Sequence, residues 1–166
     1  MAGRKVKCVD TGEYSTSDKA VKIGNHYYSS QEAYDNLQLE NTLRTECCES
    51  IADYLGYGDK KLPTIAYKKL KELREDYDYD VILEAIHGER DSILWALNTK
   101  KFASEYSTMC YIFAILQNNI MKYLRKKLRF EKLEHQQQVQ DNKEIFEEMQ
   151  QAPVVQTKDL SGLVGI

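Results

Sequence analysis

Proline is nearly missing from this chain. Only Pro63 and Pro153 occur, so nothing between them locks φ or removes a backbone donor, and long helices are allowed. Long apolar runs are missing too: none approaches the roughly 20 residues of a membrane span. The first residues, MAGRKVKCVD, lack the apolar stretch of a secretory signal, so the expected location is cytoplasmic, with no membrane partner. Cysteine is sparse and badly spaced for a metal. Cys8, Cys47, Cys48 and Cys110 form no CxxC pair, and free thiols, mostly buried as small hydrophobes, are the expectation. Catalytic signatures are absent as well, with no GxGxxG, no Walker loop and no HExxH. The acidic run Glu75-Asp76-Tyr77-Asp78-Tyr79-Asp80 lacks the closing glutamate of a calcium loop and better suits a helix start. These absences predict a binding protein rather than an enzyme, with no catalytic residues, no bound metal and no cofactor.

What is present is a globular balance, 42% hydrophobic and 30% charged residues. The net charge of −3 does not mark a nucleic-acid binder; the uneven placement of charge matters more. Val21-Lys22-Ile23-Gly24-Asn25-His26-Tyr27-Tyr28 sets β-favouring residues around a two-residue turn signal, and Val6 to Val9 are expected to add a third strand. Ser29 and Ser30 are N-cap candidates for a helix over about 31–55, ended by Gly56 and Gly58. Pro63 suits the first turn of the next helix, with an apolar stripe at Ile65, Leu70 and Leu73. Asp78 or Asp80 caps a third helix stopping near Gly88, and a fourth holds Ile93, Leu94, Trp95 and Leu97.

The clearest element runs from about Ser107 to His135. Met109, Ile112, Phe113, Leu116, Ile120, Leu124 and Leu128 recur at helical spacing. At about 1.5 Å per residue this helix reaches about 40 Å, longer than a small core covers, so its far end is expected to project or meet a partner. The polar stretch HQQQVQDN then precedes a short acidic helix over Glu144–Gln150 and a flexible tail. Apolar side chains at Val154, Val155, Leu160, Leu163 and Val164 suit a segment that adds a strand or short helix to a partner. The predicted fold is mainly α (α+β): a small N-terminal β-hairpin unit over 1–30, a helical bundle over 31–135 with one long C-terminal helix, and a polar, acidic tail over 136–166.

The sharpest binding feature is cationic. Lys122, Arg125, Arg129 and Lys132 are spaced by three, four and three residues and share one helix face, flanked by Lys126. Cations held on a rigid rod match a phosphate backbone, and Tyr123 and Phe130 would stack on bases if exposed. The same residues also suit solvation of a helix end. A second basic group, Lys60, Lys61, Lys68, Lys69 and Lys71, surrounds the Pro63 helix and would extend the positive field if it folded beside the first.

Tyr77-Asp-Tyr-Asp-Val-Ile-Leu-Glu-Ala85-Ile86 and Tyr111-Ile-Phe-Ala-Ile-Leu-Gln-Asn118 resemble the C-terminal domain of DnaD-like primosomal proteins. That family carries tyrosine, isoleucine and tryptophan at four-residue spacing on its last helix; here Tyr111 and Ile115 match and Asn119 stands at the tryptophan position. The resemblance covers roughly residues 60–130 and implies an all-helical module that binds single-stranded DNA, with Tyr111 and Ile115 in contact. The first thirty residues are similar to a small zinc-binding module of phage accessory proteins. Lys22-Ile-Gly24-Asn-His-Tyr27-Tyr28 keeps its hairpin and Cys8 one ligand position, while Thr11, Ser29 and Glu32 stand at others. That resemblance implies a degenerate module keeping its fold without metal. Together they imply a phage or prophage accessory protein of a Gram-positive host, working in the host-cell cytoplasm.

The expected partner is nucleic acid or a host nucleoprotein machine, in a DnaD-like replication or single-strand-binding role. The alternatives are an anti-CRISPR inhibitor that binds a Cas9-type effector or its guide RNA, and a structural or assembly protein forming a homodimer through the long helix. The candidate contacts are Lys122, Arg125, Lys126, Arg129, Lys132, Tyr111, Ile115, Lys68 and Lys69. Tyr111 and Ile115 equally suit core packing.

Overall fold

A computed structural model describes residues 3–58 and 60–151. The expected apolar tail segments at 154–155 and 160–164 lie outside the described residues. The chain falls into two units, one ending at Arg125 and the other starting at Lys126.

The N-terminal hairpins differ from the expected three-stranded patch. β1 (Lys5–Lys7) pairs antiparallel with β2 (Tyr14–Thr16), and β3 (Val21–Ile23) with β4 (His26–Tyr28), as separate two-stranded sheets. Strand β1 finds its partner across the short 8–13 loop instead of joining the second hairpin. A single bridge links the hairpins, in which Val9 N–H donates to the Tyr27 carbonyl at 2.8 Å. Gly24 opens the two-residue turn at φ +59°, while Asn25 keeps a negative φ, the arrangement of a turn with glycine first. The Asp10 carboxylate accepts from the Ser29 backbone N–H at 3.0 Å and from its hydroxyl, tying the 8–13 loop to the chain just after β4. Val6, Cys8 and Tyr28 are buried, and the Tyr28 and Tyr34 rings meet edge-on at 4.9 Å, docking the hairpins on the first helix.

Helix α1 (Gln31–Tyr54) starts at Ser30, whose hydroxyl accepts from the Ala33 N–H at 3.0 Å. It ends at Gly56, where φ of +66° needs a residue without Cβ. Helix α2 (Thr64–Asp76) has Pro63 as its N-cap, one position earlier than its expected place in the first turn. Helix α3 (Tyr79–Gly88) follows Asp78, which caps by position without a side-chain hydrogen bond to the helix. Helix α4 (Arg90–Thr99) starts immediately after Glu89. One core joins Cys47, Ile51, Leu70, Leu73, Ile82, Ile86, Ile93, Met109, Ile112, Leu116 and Ile120. On the short helix α3, Val81, Ile82, Ala85 and Ile86 are all at or below 1% exposure, as are Met109, Ile112, Leu116 and Ile120 on the long helix described next.

The long helix α5 covers Glu105–Gln151, well past the expected end near His135. The expected separate acidic helix over 144–150 is part of it. Nothing in this segment stops a helix: it holds no glycine or proline, and glutamine, glutamate and lysine are strong helix formers. Low complexity is not a breaker. Burial along α5 stops earlier than the apolar stripe implied, for Tyr123 is buried and Leu124 half-buried whereas Leu128 is 54% exposed.

Candidate functional site

Two features of the first unit carry chemistry, and α5 contributes residues to both. The first is a polar knot at the corner between α3 and α4. Glu89 ends one helix and starts the next, its N–H donating to Ala85 and its carbonyl accepting from Ile93, both at 2.9 Å. Its side chain is 5% exposed and receives the Tyr123 hydroxyl at 2.9 Å and the Lys122 ammonium. Burial pushes the Glu89 carboxyl up. The Lys122 and Tyr123 hydrogen bonds, the Lys122 charge and Ser92 outweigh it and hold the group below its ordinary value. Lys122 is raised in return, chiefly by its hydrogen bond to Glu89. The knot is close-packed, since a Cβ at Gly88 would overlap the Tyr123 ring.

The residues of the expected basic stripe are all exposed and fall in both units. Lys122 belongs to the Glu89 knot, and Tyr123, expected to stack on bases if exposed, is buried with its hydroxyl committed. Arg125 is exposed at the end of the first unit. In the second unit Lys126, Arg129 and Lys132 are exposed on one side of the helix, Lys126 lies 5.9 Å from the Phe130 ring centre, and Phe130 is 55% exposed. Lys127 and Glu131 form an i,i+4 pair at 3.9 Å.

The second basic group lies in the first unit. Lys68 is exposed, while Lys69 pairs with Glu72 at 2.8 Å, which raises its pKa.

The second feature is a cleft of about 510 Å³ between α4 and α5, lined by Asp91, Ser92, Trp95, Tyr111, Ile115 and Asn119. Tyr111, Ile115 and Asn119 follow one another at four-residue spacing, so one face of α5 forms a wall. They are half-buried, and Ile115 packs against the core. The Asn119 amide donates to the Ile115 carbonyl at 2.9 Å. Trp95, from the neighbouring helix, faces them at 61% exposure. Lys100 stands 4.8 Å from the Tyr111 ring centre, and Phe102 packs on that ring at 5.5 Å. An aromatic-walled cleft with a cation beside it is chemically a stacking site for a flat, electron-rich ring.

Sequence reasoning missed Trp95 because it counted the residue among the apolar positions of its helix. Ile93, Ala96 and Leu97 share the inward face by three- and four-residue spacing, and Trp95 falls on the opposite side. That spacing was the available signal. Among the described residues no group of three or more His, Cys, Asp or Glu side chains is arranged to hold a metal ion. No helix among the described residues is long and apolar enough to cross a membrane. Cys8 and Cys47 are buried thiols, and burial pushes the Cys47 thiol up to about 12, so it stays protonated.

The fold and these two features define a small helical protein with an aromatic surface cleft and a hairpin module at its N-terminus. A family model for SPbeta prophage protein YorH matches residues 8–161, and the chain belongs to that family. It is thus a prophage protein, as the resemblances implied at that coarser level. Comparison with the curated proteins and with solved structures gives no match.

Proposed function

We propose that this prophage protein is a non-enzymatic binder of single-stranded nucleic acid, with Trp95 and Tyr111 stacking on bases. The observation that carries the reading is the exposed tryptophan facing Tyr111 and Ile115 across an open cleft. A large aromatic at 61% exposure gains nothing from the core, whereas stacking on a base is worth about 1–3 kcal/mol and tolerates any sequence. Lys100 beside Tyr111 supplies positive charge at the cleft, and Asp91 on the α4 side keeps phosphates towards the opposite rim. The exposed cations Lys126, Arg129 and Lys132 of the second unit suit further phosphate contacts by themselves. Residues Tyr111, Ile115 and Asn119 are those that carried the DnaD-like resemblance, and in this reading Trp95 supplies the aromatic that Asn119 lacks.

Trp95 is the only tryptophan of the chain, so its fluorescence reports on the site directly. Titration with a short oligo-dT should quench it saturably, with affinity falling steeply as salt rises. Trp95→Ala should weaken binding about tenfold or more, the scale of one lost base stack. Charge reversal at Arg125 and Arg129 should reduce both affinity and the salt slope. Unquenched fluorescence with no binding by anisotropy would remove this reading. Binding only to a guide-loaded Cas9-type effector, and not to free strands, is the result expected of the inhibitor alternative.

A further inference from the structure

A larger cleft, about 660 Å³, opens between α1 and α2 with α3 at its base. Its charge is one-sided. Arg44 comes from α1, Lys71 and Arg74 from α2, and none of the lining residues is acidic. Arg74 is held in place by its neighbours: its Nε donates to Glu40 at 2.8 Å, one terminal nitrogen sits 3.3 Å from Asp78, and its guanidinium lies 5.5 Å from the ring centre of Tyr79, itself part of the lining. Those carboxylates offset much of the Arg74 charge but fix its plane. Arg44 and Lys71 are exposed and take part in no ion pair recorded among the described residues, so the net positive charge of the cleft is theirs.

The remaining lining is aromatic and apolar. Tyr67 stands at the rim with 45% exposure, and buried Tyr79 forms part of the floor. A volume near 660 Å³ falls in the range of sites that take small organic ligands. The Arg44 guanidinium and the Lys71 ammonium together suit a doubly charged phosphate monoester better than a single carboxylate. The tyrosine at the rim suits a flat ring attached to it.

We infer that the cleft lined by Arg44, Lys71, Arg74 and Tyr67 is a binding site for a phosphate monoester carried on a flat ring, the chemistry of a nucleoside monophosphate. That chemistry is found in a free nucleotide and in the 5′-phosphorylated end of a strand. The site stands apart from the Trp95 cleft and does not depend on it.

Calorimetry on the full chain tests this with four probes: AMP, adenosine, a 5′-phosphorylated trinucleotide and the same trinucleotide without phosphate. AMP should bind saturably and adenosine about tenfold weaker or worse, the effect of losing charge-assisted hydrogen bonds. Arg44→Ala with Lys71→Ala should weaken AMP by a similar factor while circular dichroism stays unchanged, both side chains being exposed. AMP should also slow alkylation of Cys48, which lines this cleft, and leave Cys110 unaffected. A phosphorylated trinucleotide that binds more tightly than AMP supports the site and assigns it to strand ends; tighter AMP supports it and assigns it to free nucleotide. Absence of AMP binding, equal binding of adenosine, or AMP binding unchanged in the double variant overturns the inference. Trp95→Ala should leave AMP binding intact, which separates failure here from failure of the single-strand reading.

Discussion

Glu89 shows how one side chain can be costly to bury and still hold a corner together. It is the buried charged residue recorded at the turn between α3 and α4, with the Tyr123 hydroxyl and the Lys122 ammonium as partners. Removing it with Glu89→Ala leaves the Tyr123 hydroxyl without its acceptor at 8% exposure, which should cost about 1–3 kcal/mol. Chemical denaturation of the variant against the parent measures it. The same residue gives a pH dependence. Its folded carboxyl titrates below the ordinary value of 4.5, so the unfolded chain takes up the proton first as pH falls. The stabilisation from Glu89 is thus complete above about pH 4.5 and is lost as pH drops through the folded value. The stability gap between the parent and Glu89→Gln should be widest near neutrality and close in acid; a gap that widens in acid contradicts the assignment. Gly88 beside it has no room for a side chain, so Gly88→Ala should push Tyr123 away and lower stability by roughly 1–3 kcal/mol.

At the scale of elements, most helices were legible because their local signals agree. Ser30 reads as an N-cap in the sequence and acts as one, and Ser30→Ala should cost about 1 kcal/mol of thermal or denaturant stability. The apolar spacing of Met109 to Ile120 announced the buried face of α5. Boundaries depended on subtler balances. The polar HQQQVQDN stretch looked like an end, yet helix propensity over a segment without glycine or proline carries α5 to Gln151. Gln137→Pro should therefore lower helical content measurably by circular dichroism, because it removes a backbone donor inside the helix. If the ellipticity does not change, the segment around Gln137 is not helical in solution. The hairpins were legible one at a time: β3–β4 had its turn signal, whereas the partner of β1 lay in Tyr14–Thr16, too short and polar to stand out.

For the molecule as a whole, α3 is the element on which the bundle closes. Ile82 has no exposed surface and lies among residues of the surrounding helices, so Ile82→Ala should cost about 2–5 kcal/mol, far more than truncation of exposed Leu128. Comparing the two variants by urea midpoint separates core from surface. The sequence by itself determined the mainly helical class, the positions of most helices, the N-terminal β unit and the cationic residues, since periodicity, caps and charge are properties of local chain. The tertiary structure alone decided which of those residues meet. Lys122, an expected phosphate contact, pairs with Glu89, a residue 33 positions away. Trp95, unremarkable in its own helix, came to face Tyr111 and Ile115. Arg44 drew no attention beside Lys71 and Arg74 because it stands on α1 and they stand on α2, yet all three line one cleft. Burial and proximity between distant segments are set by how faces pack, and no local spacing records that.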